Sequence, residues 1–289
     1  MHLSSVKAHR GVVHTPLRYP GGKTRLTGFL RRVVEGGGWT DCTYVEPYAG
    51  GAGAALSLLH DQVVPRVVIN DLDPHIHAFW VAVTNHSKQF LAKFDDTALT
   101  LDEWHVQRDV YRAGDASDAV GLGFATFFLN RTNRSGIMNA GVIGGQAQAG
   151  RYKLDARFNR EILRQKLAWI GQQSDCITVS NRDGLEVIAK SVDSERDFCY
   201  IDPPYYDKGS DLYMNSFAEA GHAALADVLR SARAARWVLT YDDVPQIRKL
   251  YAGMYQGTFS LPYSAHTASL AKERMILSDA VADVDGVMD

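Results

Sequence analysis

Residues 197–207 read DFCYIDPPYYD. Phe198, Cys199, Tyr200 and Ile201 form an apolar run of strand length, and the run ends in Asp202, two prolines and a tyrosine pair. The exocyclic amine of a nucleobase is a poor nucleophile because its lone pair is delocalised into the ring. A site that accepts both N–H bonds localises that pair and draws the nitrogen toward tetrahedral geometry. Asp202 offers a carboxylate oxygen and the Pro203 carbonyl a second acceptor, in a turn stiffened because each proline fixes its own φ and restricts its predecessor. Tyr205 adds a face on which a base drawn out of a helix can stack, worth about 1–3 kcal/mol per base. Any one of these residues could simply end a strand; the whole tetrapeptide at that place points to amine chemistry.

Two more strand ends carry residues suited to a ligand. In TYVEPYAGGAGAA (43–55), Gly50, Gly51 and Gly53 stand between a strand and a helix, where a ligand can approach the backbone and meet a helix N-terminus. The spacing is not GxGxxG, since Leu56 occupies the third glycine position, and Glu46-Pro47 precedes the glycines. In VINDLDP (68–74), Asp71 lies 18 residues beyond Gly53, a spacing suited to binding ribose hydroxyls, while Asp73 suits the cap of a helix starting at Pro74. Asp183, in SNRDGLEVI, can accept from an adenine amino group or cap its own helix. PGGKT (20–24) imitates the end of a phosphate loop, but Leu17 stands where that motif needs glycine.

The elements that must hold these residues follow an alternating pattern. Apolar runs at 43–48, 66–70, 176–180, 197–201 and 236–241 predict strands, and most are separated by helical patterns such as GAALSLLHD, PHIHAFWVAV and GLEVIAKSV. That alternation implies a parallel, doubly wound α/β sheet, and the closing MYQGTFSLPYS and KERMILS predict an antiparallel edge hairpin. Between about 86 and 158 the alternation gives way to helical patterns and the glycine-rich SGIMNAGVIGGQAQAG, read as a helical insert with a loop or hairpin.

Composition sets the outer limits. The chain has 289 residues, 46% hydrophobic and 22% charged, enough for a full core in one or two domains. No apolar run reaches the roughly 18 residues of a membrane span, and the N-terminus lacks the apolar stretch of a secretory signal. Cys42, Cys176 and Cys199 show no metal spacing and are expected as reduced thiols, so a cytoplasmic protein is expected. The net charge is −2, yet residues 1–34 carry seven Lys/Arg and no acid, and residues 129–166 carry eight against two acids. Such basic stretches can follow a phosphate backbone or form a solvated helix face.

LRYPGGK (17–23), VEPYAGGAG (45–53), Asp71, FFLNRTNRSGI (127–137) and IDPPYY (201–206), in that order, resemble the Dam-type DNA adenine-N6 methyltransferases of the α-group arrangement. Likeness continues through FAEAGHAALADVL, LTYDD and LPYSAHTASLAKERMIL, so it covers most of residues 15–278. It implies a Rossmann-like class I methyltransferase domain over 1–85 and 159–289, with an inserted, mainly helical target-recognition domain over 86–158. S-adenosylmethionine as methyl donor and adenine in double-stranded DNA as acceptor follow from it, with a monomeric enzyme in a prokaryotic or phage-infected cell expected and no metal. By the same resemblance, Tyr19, Lys23, Asp71 and Asp202 contact the cofactor or its surroundings. Gly50, Gly51 and Gly53 form its cradle, flanked by Glu46 and Tyr48, and Asp183 faces its adenine. Asp202, Pro203 and Tyr205 serve the target base, and Arg131, Asn133 and Arg134 contact DNA. The same turn also serves cytosine-N4 and RNA amino-methyltransferases, and the basic insert favours DNA. The stretch SGIMNAGVIGGQAQAGRY departs from the longer segment of many family members, so no target sequence is implied.

Overall fold

The computed structural model describes residues 14–18, 23–206, 219–263 and 269–287, with side chains left out over 261–271. Tyr19 and residues 207–218 lie outside the described residues. The described strands are β1 (Thr43–Glu46), β2 (Arg66–Asn70), β3 (Ile177–Ser180), β4 (Asp197–Ile201), β5 (Trp237–Asp242), β6 (Tyr255–Tyr263) and β7 (Ser269–Leu277). They form one sheet in the order β3-β2-β1-β4-β5-β7-β6. β1 runs parallel to both β2 and β4, and β4 runs parallel to β5. β7 pairs antiparallel with both β5 and β6, so the expected closing hairpin is present and its second strand, not its first, joins the parallel part.

Chain order reverses at β1, which continues to β2 on one side and is flanked by β4 on the other. Ligands of open α/β sheets collect outside the carboxyl ends of the strands at such a switch point. The β1–β4 register, Thr43 opposite Asp197 and Val45 opposite Cys199, brings the residues after Glu46 close to those after Ile201. The glycine turn and the Asp-Pro-Pro-Tyr turn, 150 residues apart in sequence, are thereby neighbours.

The chain forms two compact units, one built on Lys23–Leu72 and the segment from Arg182, the other on Asp73–Asn181 with the stretch from His14. In the first, helices α1 (Thr27–Gly36), α2 (Gly53–His60), α8 (Gly184–Val192), α9 (Glu219–Ser231) and α10 (Pro245–Leu250) accompany the strands. Every residue of β5 is buried, as are four of the five in β4, which is why both read as continuous apolar runs without alternation. Their side chains join Ile188, Leu225, Leu229 and Ile247 of the helices in one core.

The second unit holds α3 (Pro74–Asn85), α4 (Ser87–Asp96), α5 (Leu101–Ala113), α6 (Ala119–Thr132) and α7 (Arg160–Gln172). Its boundary falls at Asp73, ahead of the expected 86, and it takes in α7. The reason is packing: Phe79 of α3 stacks on Phe127 of α6 at 6.1 Å, and Phe90, Phe94, Phe124 and Phe158 close the cluster. A Cβ on Gly123 of α6 would lie 2.5 Å from the Ala78 carbonyl, so glycine there permits the close approach of α3. Asp73 caps α3 through the His75 amide at 2.8 Å, ahead of Pro74, as its position in the sequence suggests. The glycine-rich stretch after α6 is a loop of turns with a single bridge, Asn133 to Val142, and no regular hairpin. No helix among the described residues is long and apolar enough to cross a membrane.

Candidate active site

The turn after β1 carries the backbone geometry that its glycines suggest. Gly50 sits at φ 47°, in the left-handed region that costs other residues roughly 1–2 kcal/mol. Ala52 shares that conformation at φ 45°, and such strain in a non-glycine residue marks a turn held by its surroundings. A Cβ on Gly53 would fall 2.0 Å from Thr24 Oγ1, so the start of α2 tolerates no side chain there. Asp71, just beyond β2, accepts the Gly50 amide on Oδ2 at 2.8 Å and so joins the acid to the turn.

Asn70 fixes the frame around this acid. Fully buried, it donates from Nδ2 to the carbonyls of Pro47 (2.8 Å) and Arg182 (2.9 Å), and accepts the Arg182 amide on Oδ1. One side chain thus ties the ends of β1 and β2 to the loop that leads to Asp183. Asp183 itself caps α8, accepting the Leu185 amide at 2.7 Å, which is the capping alternative of its two readings. The Tyr48 ring packs over Gly184, where an added Cβ would lie 2.3 Å from the ring.

Glu46 is buried at the foot of the glycine turn and accepts the Ala55 amide at 2.9 Å, in the first turn of α2. Burial pushes its carboxyl up to about 8; the Ala55 and Tyr44 hydrogen bonds oppose this, and Asp202 adds to it. Its Oε1 is thereby turned to the start of α2.

The Asp-Pro-Pro-Tyr turn after β4 is organised around Asp202. Thr240 of β5 donates its hydroxyl to Asp202 Oδ1 at 2.9 Å, and the Tyr200 hydroxyl lies 2.9 Å from the same Thr240 oxygen. Lys23 Nζ lies 3.5 Å from Asp202 Oδ1, so both contacts fall on one oxygen. The same ammonium bonds the Tyr205 hydroxyl, lies 4.9 Å from the Tyr205 ring centroid, and pairs with Glu273 Oε2 at 3.0 Å. Burial pushes the Asp202 carboxyl up to about 6; Lys23 opposes this, Glu273 adds to it, and Thr240 opposes it. The next residue, Tyr206, is held by its amide to Asp242 Oδ1 at 3.1 Å and by its ring on His222, centroids 4.9 Å apart.

Cys199 lies inside β4, where burial raises its thiol far above the ordinary range, so it is no thiolate nucleophile. The site is an acceptor site built on an oriented carboxylate and an aromatic face.

Residues 19–269 match the D12 class N6 adenine-specific DNA methyltransferase family. The chain belongs to that family. It is also 22% identical over 227 residues to the type II methyltransferase M.CviBI of Paramecium bursaria Chlorella virus NC1A, covering 78% of this chain and 82% of the viral one. Adenine-N6 methylation of DNA is therefore its activity.

Of the residues the Dam-type resemblance singles out, Lys23, Asp202 and Tyr205 meet in one cluster, and Gly50 meets Asp71. Tyr19 lies outside the described residues. The three residues assigned to DNA at the end of α6 divide. Asn133 is buried, and its amide serves Trp104 Nε1 (2.7 Å) and the carbonyls of Ile137 and Met138. Arg131 turns inward to the carbonyls of Arg157 and Pro16, and burial pulls its guanidinium down to about 10. Of the three, Arg134 is the exposed one.

Sequence reasoning missed Glu273, Thr240 and Asn70. Glu273 had a signal, the one acid of the closing strand pattern KERMILS, set between Lys272 and Arg274. Thr240 and Asn70 had none, because a polar residue near a strand end is commonplace.

Proposed function

We propose that the chain, as a monomer, transfers a methyl group from S-adenosylmethionine to N6 of an adenine flipped out of double-stranded DNA. The observation that carries this is the oriented carboxylate of Asp202 at the switch point, with Tyr205 beside it and the Gly50–Asp71 turn on the adjacent strand ends. The residues present suit that cofactor. A strained glycine turn at a helix N-terminus accepts close backbone approach, and Asp71, tied to that turn, is an acid at the position for ribose hydroxyls. S-adenosylmethionine, when bound, supplies the electrophilic methyl carbon.

The chain's own residues do the rest. Thr240 and Lys23 occupy Asp202 Oδ1, and Oδ2 is the acceptor for one amine hydrogen, with the Pro203 carbonyl for the other. Acceptors fixed in advance strengthen as positive charge develops on the nitrogen, which lowers the barrier without reorganisation. Tyr205 offers its ring to the base, offsetting much of the few kcal/mol needed for extrusion. Arg134 and the loop that follows it supply the DNA-facing surface of a recognition insert. The type II name of the viral relative supports a modification role of that kind.

The test is a digest of DNA treated with enzyme and S-adenosylmethionine to nucleosides, with long-read sequencing for context. N6-methyladenine in one defined context is expected, and Asp202→Ala should abolish it. Methyl on cytosine N4, or an Asp202→Ala enzyme of near wild-type rate, overturns the reading.

A further inference from the structure

Lys23 and Glu273 are only 6% and 1% exposed, and they pair at 3.0 and 3.2 Å to the two carboxylate oxygens. Removing two charges from water costs several kcal/mol per ion, so such a pair is an inefficient way to stabilise a fold. What it does achieve is geometric. One ammonium is shared among three acceptors, two of which, Asp202 and Tyr205, belong to the catalytic turn. The third, Glu273, sits on β7, locked between Asp242 of β5 and Phe259 of β6. The anchor is thus on the sheet and the two clients are on a loop.

We propose that Glu273 is a positioning residue for methyl transfer: by holding Lys23 between the Asp202 carboxylate and the Tyr205 hydroxyl, it aims the amine acceptor and fixes the plane of the stacking ring. The proposal rests on the roles given above to Asp202 and Tyr205. Without the Glu273 charge, the ammonium collapses onto Asp202, 3.5 Å away, and releases the tyrosine. An ammonium in full contact with Asp202 also competes for the electron density that the amine hydrogen needs.

The groups acting on Asp202 are Lys23 from the turn before α1, Glu273 from β7, Thr240 and Tyr241 from β5, Tyr200 from β4 and Glu46 from β1. The test compares Glu273→Gln, Lys23→Met and the double variant in the full chain. It reads steady-state kinetics with DNA, and the titration of the Asp202 carboxyl by carbon-13 NMR in the free protein. Glu273→Gln should lower kcat about 10-fold or more, the worth of a charged hydrogen bond, with KM for DNA nearly unchanged. It should move the Asp202 titration to lower pH, because a negative neighbour is gone and the ammonium is freed toward the acid. Lys23→Met should move it higher, and adding Glu273→Gln to Lys23→Met should cost no further kcat. Wild-type kcat and titration in Glu273→Gln, or a kcat loss undiminished in the Lys23→Met background, overturns the proposal. If Glu273→Gln does not fold, Lys23→Met alone keeps the test: because Glu273 acts through Lys23, an unchanged kcat and Asp202 titration there has the same meaning. Activity in Asp202→Ala would sink the reading of the site; an inactive Asp202→Ala beside an unaffected Glu273→Gln sinks this inference alone.

Discussion

Thr240 Oγ1 stands 2.9 Å from both Asp202 Oδ1 and the Tyr200 hydroxyl, so one threonine on β5 orders the end of β4. Parallel pairing with Ile201 opposite Leu239 makes that reach a consequence of sheet register. Thr240→Val keeps the shape and removes the donor. It should lower kcat about 10-fold and destabilise the protein by about 1–3 kcal/mol through the orphaned Tyr200 hydroxyl. Thr240→Ser should recover most of both. Single-turnover rates and urea melts check this; a Thr240→Val enzyme of unaltered rate would show that Asp202 needs no orientation.

The pH dependence follows from Asp202, raised from 3.8 to about 6. In the proposed role Asp202 must be a carboxylate, so kcat/KM for DNA, which reports the free enzyme, should fall with unit slope as pH drops below about 6. Stability runs the other way. The fold favours the protonated acid, so the contribution of Asp202 to stability is lost as pH rises from 3.8 to 6. Thr240→Val should move the acid limb to higher pH, since the hydroxyl helps hold the ionised form. A pH profile of kcat/KM for DNA reads the limb, and one flat down to pH 5 contradicts the assignment.

Glu46 offers a separate test of burial. Its carboxyl is raised from 4.5 to about 8, so the folded state prefers it neutral and stability declines as pH rises between those values. Glu46→Gln mimics the neutral acid and can still accept the Ala55 amide. Its stability should match wild type near pH 5 and exceed it at pH 9, whereas Glu46→Ala, which leaves that amide unpaired, should lie below wild type near pH 5 by about 1–3 kcal/mol and lose that deficit at pH 9, where wild type carries a buried charge.

The basic insert should separate binding from folding. Arg134→Ala should weaken DNA binding and reduce the salt slope by about one unit, as for one lost phosphate contact. Asn133→Ala strands the Trp104 indole and two carbonyls, and should destabilise by about 1–3 kcal/mol. Fluorescence anisotropy at several salt concentrations, with thermal melts, distinguishes them. An Arg134→Ala protein with the parent slope would move the DNA surface elsewhere.

Much of this site was legible in the linear chain. Apolar runs place the strands, and the Gly50–Gly53 turn, Asp71 and Asp-Pro-Pro-Tyr each stand directly after one, because side-chain period and turn chemistry are local properties. The cap at Asp73 was equally local, since Pro74 marks the helix start. Tertiary packing decided the rest. Asn133 and Arg131 carry the same residue types as a DNA-reading surface, and only the folding of α6 against α5 and the 157 loop turns them inward. Glu273 lies 250 residues from Lys23, and their contact exists because β7 enters the sheet beside β5, a pairing that no local pattern encodes. Sequence specifies which groups a strand end presents; which of them share one cation is set by the sheet, which brings Glu273 of β7 within 3.0 Å of Lys23.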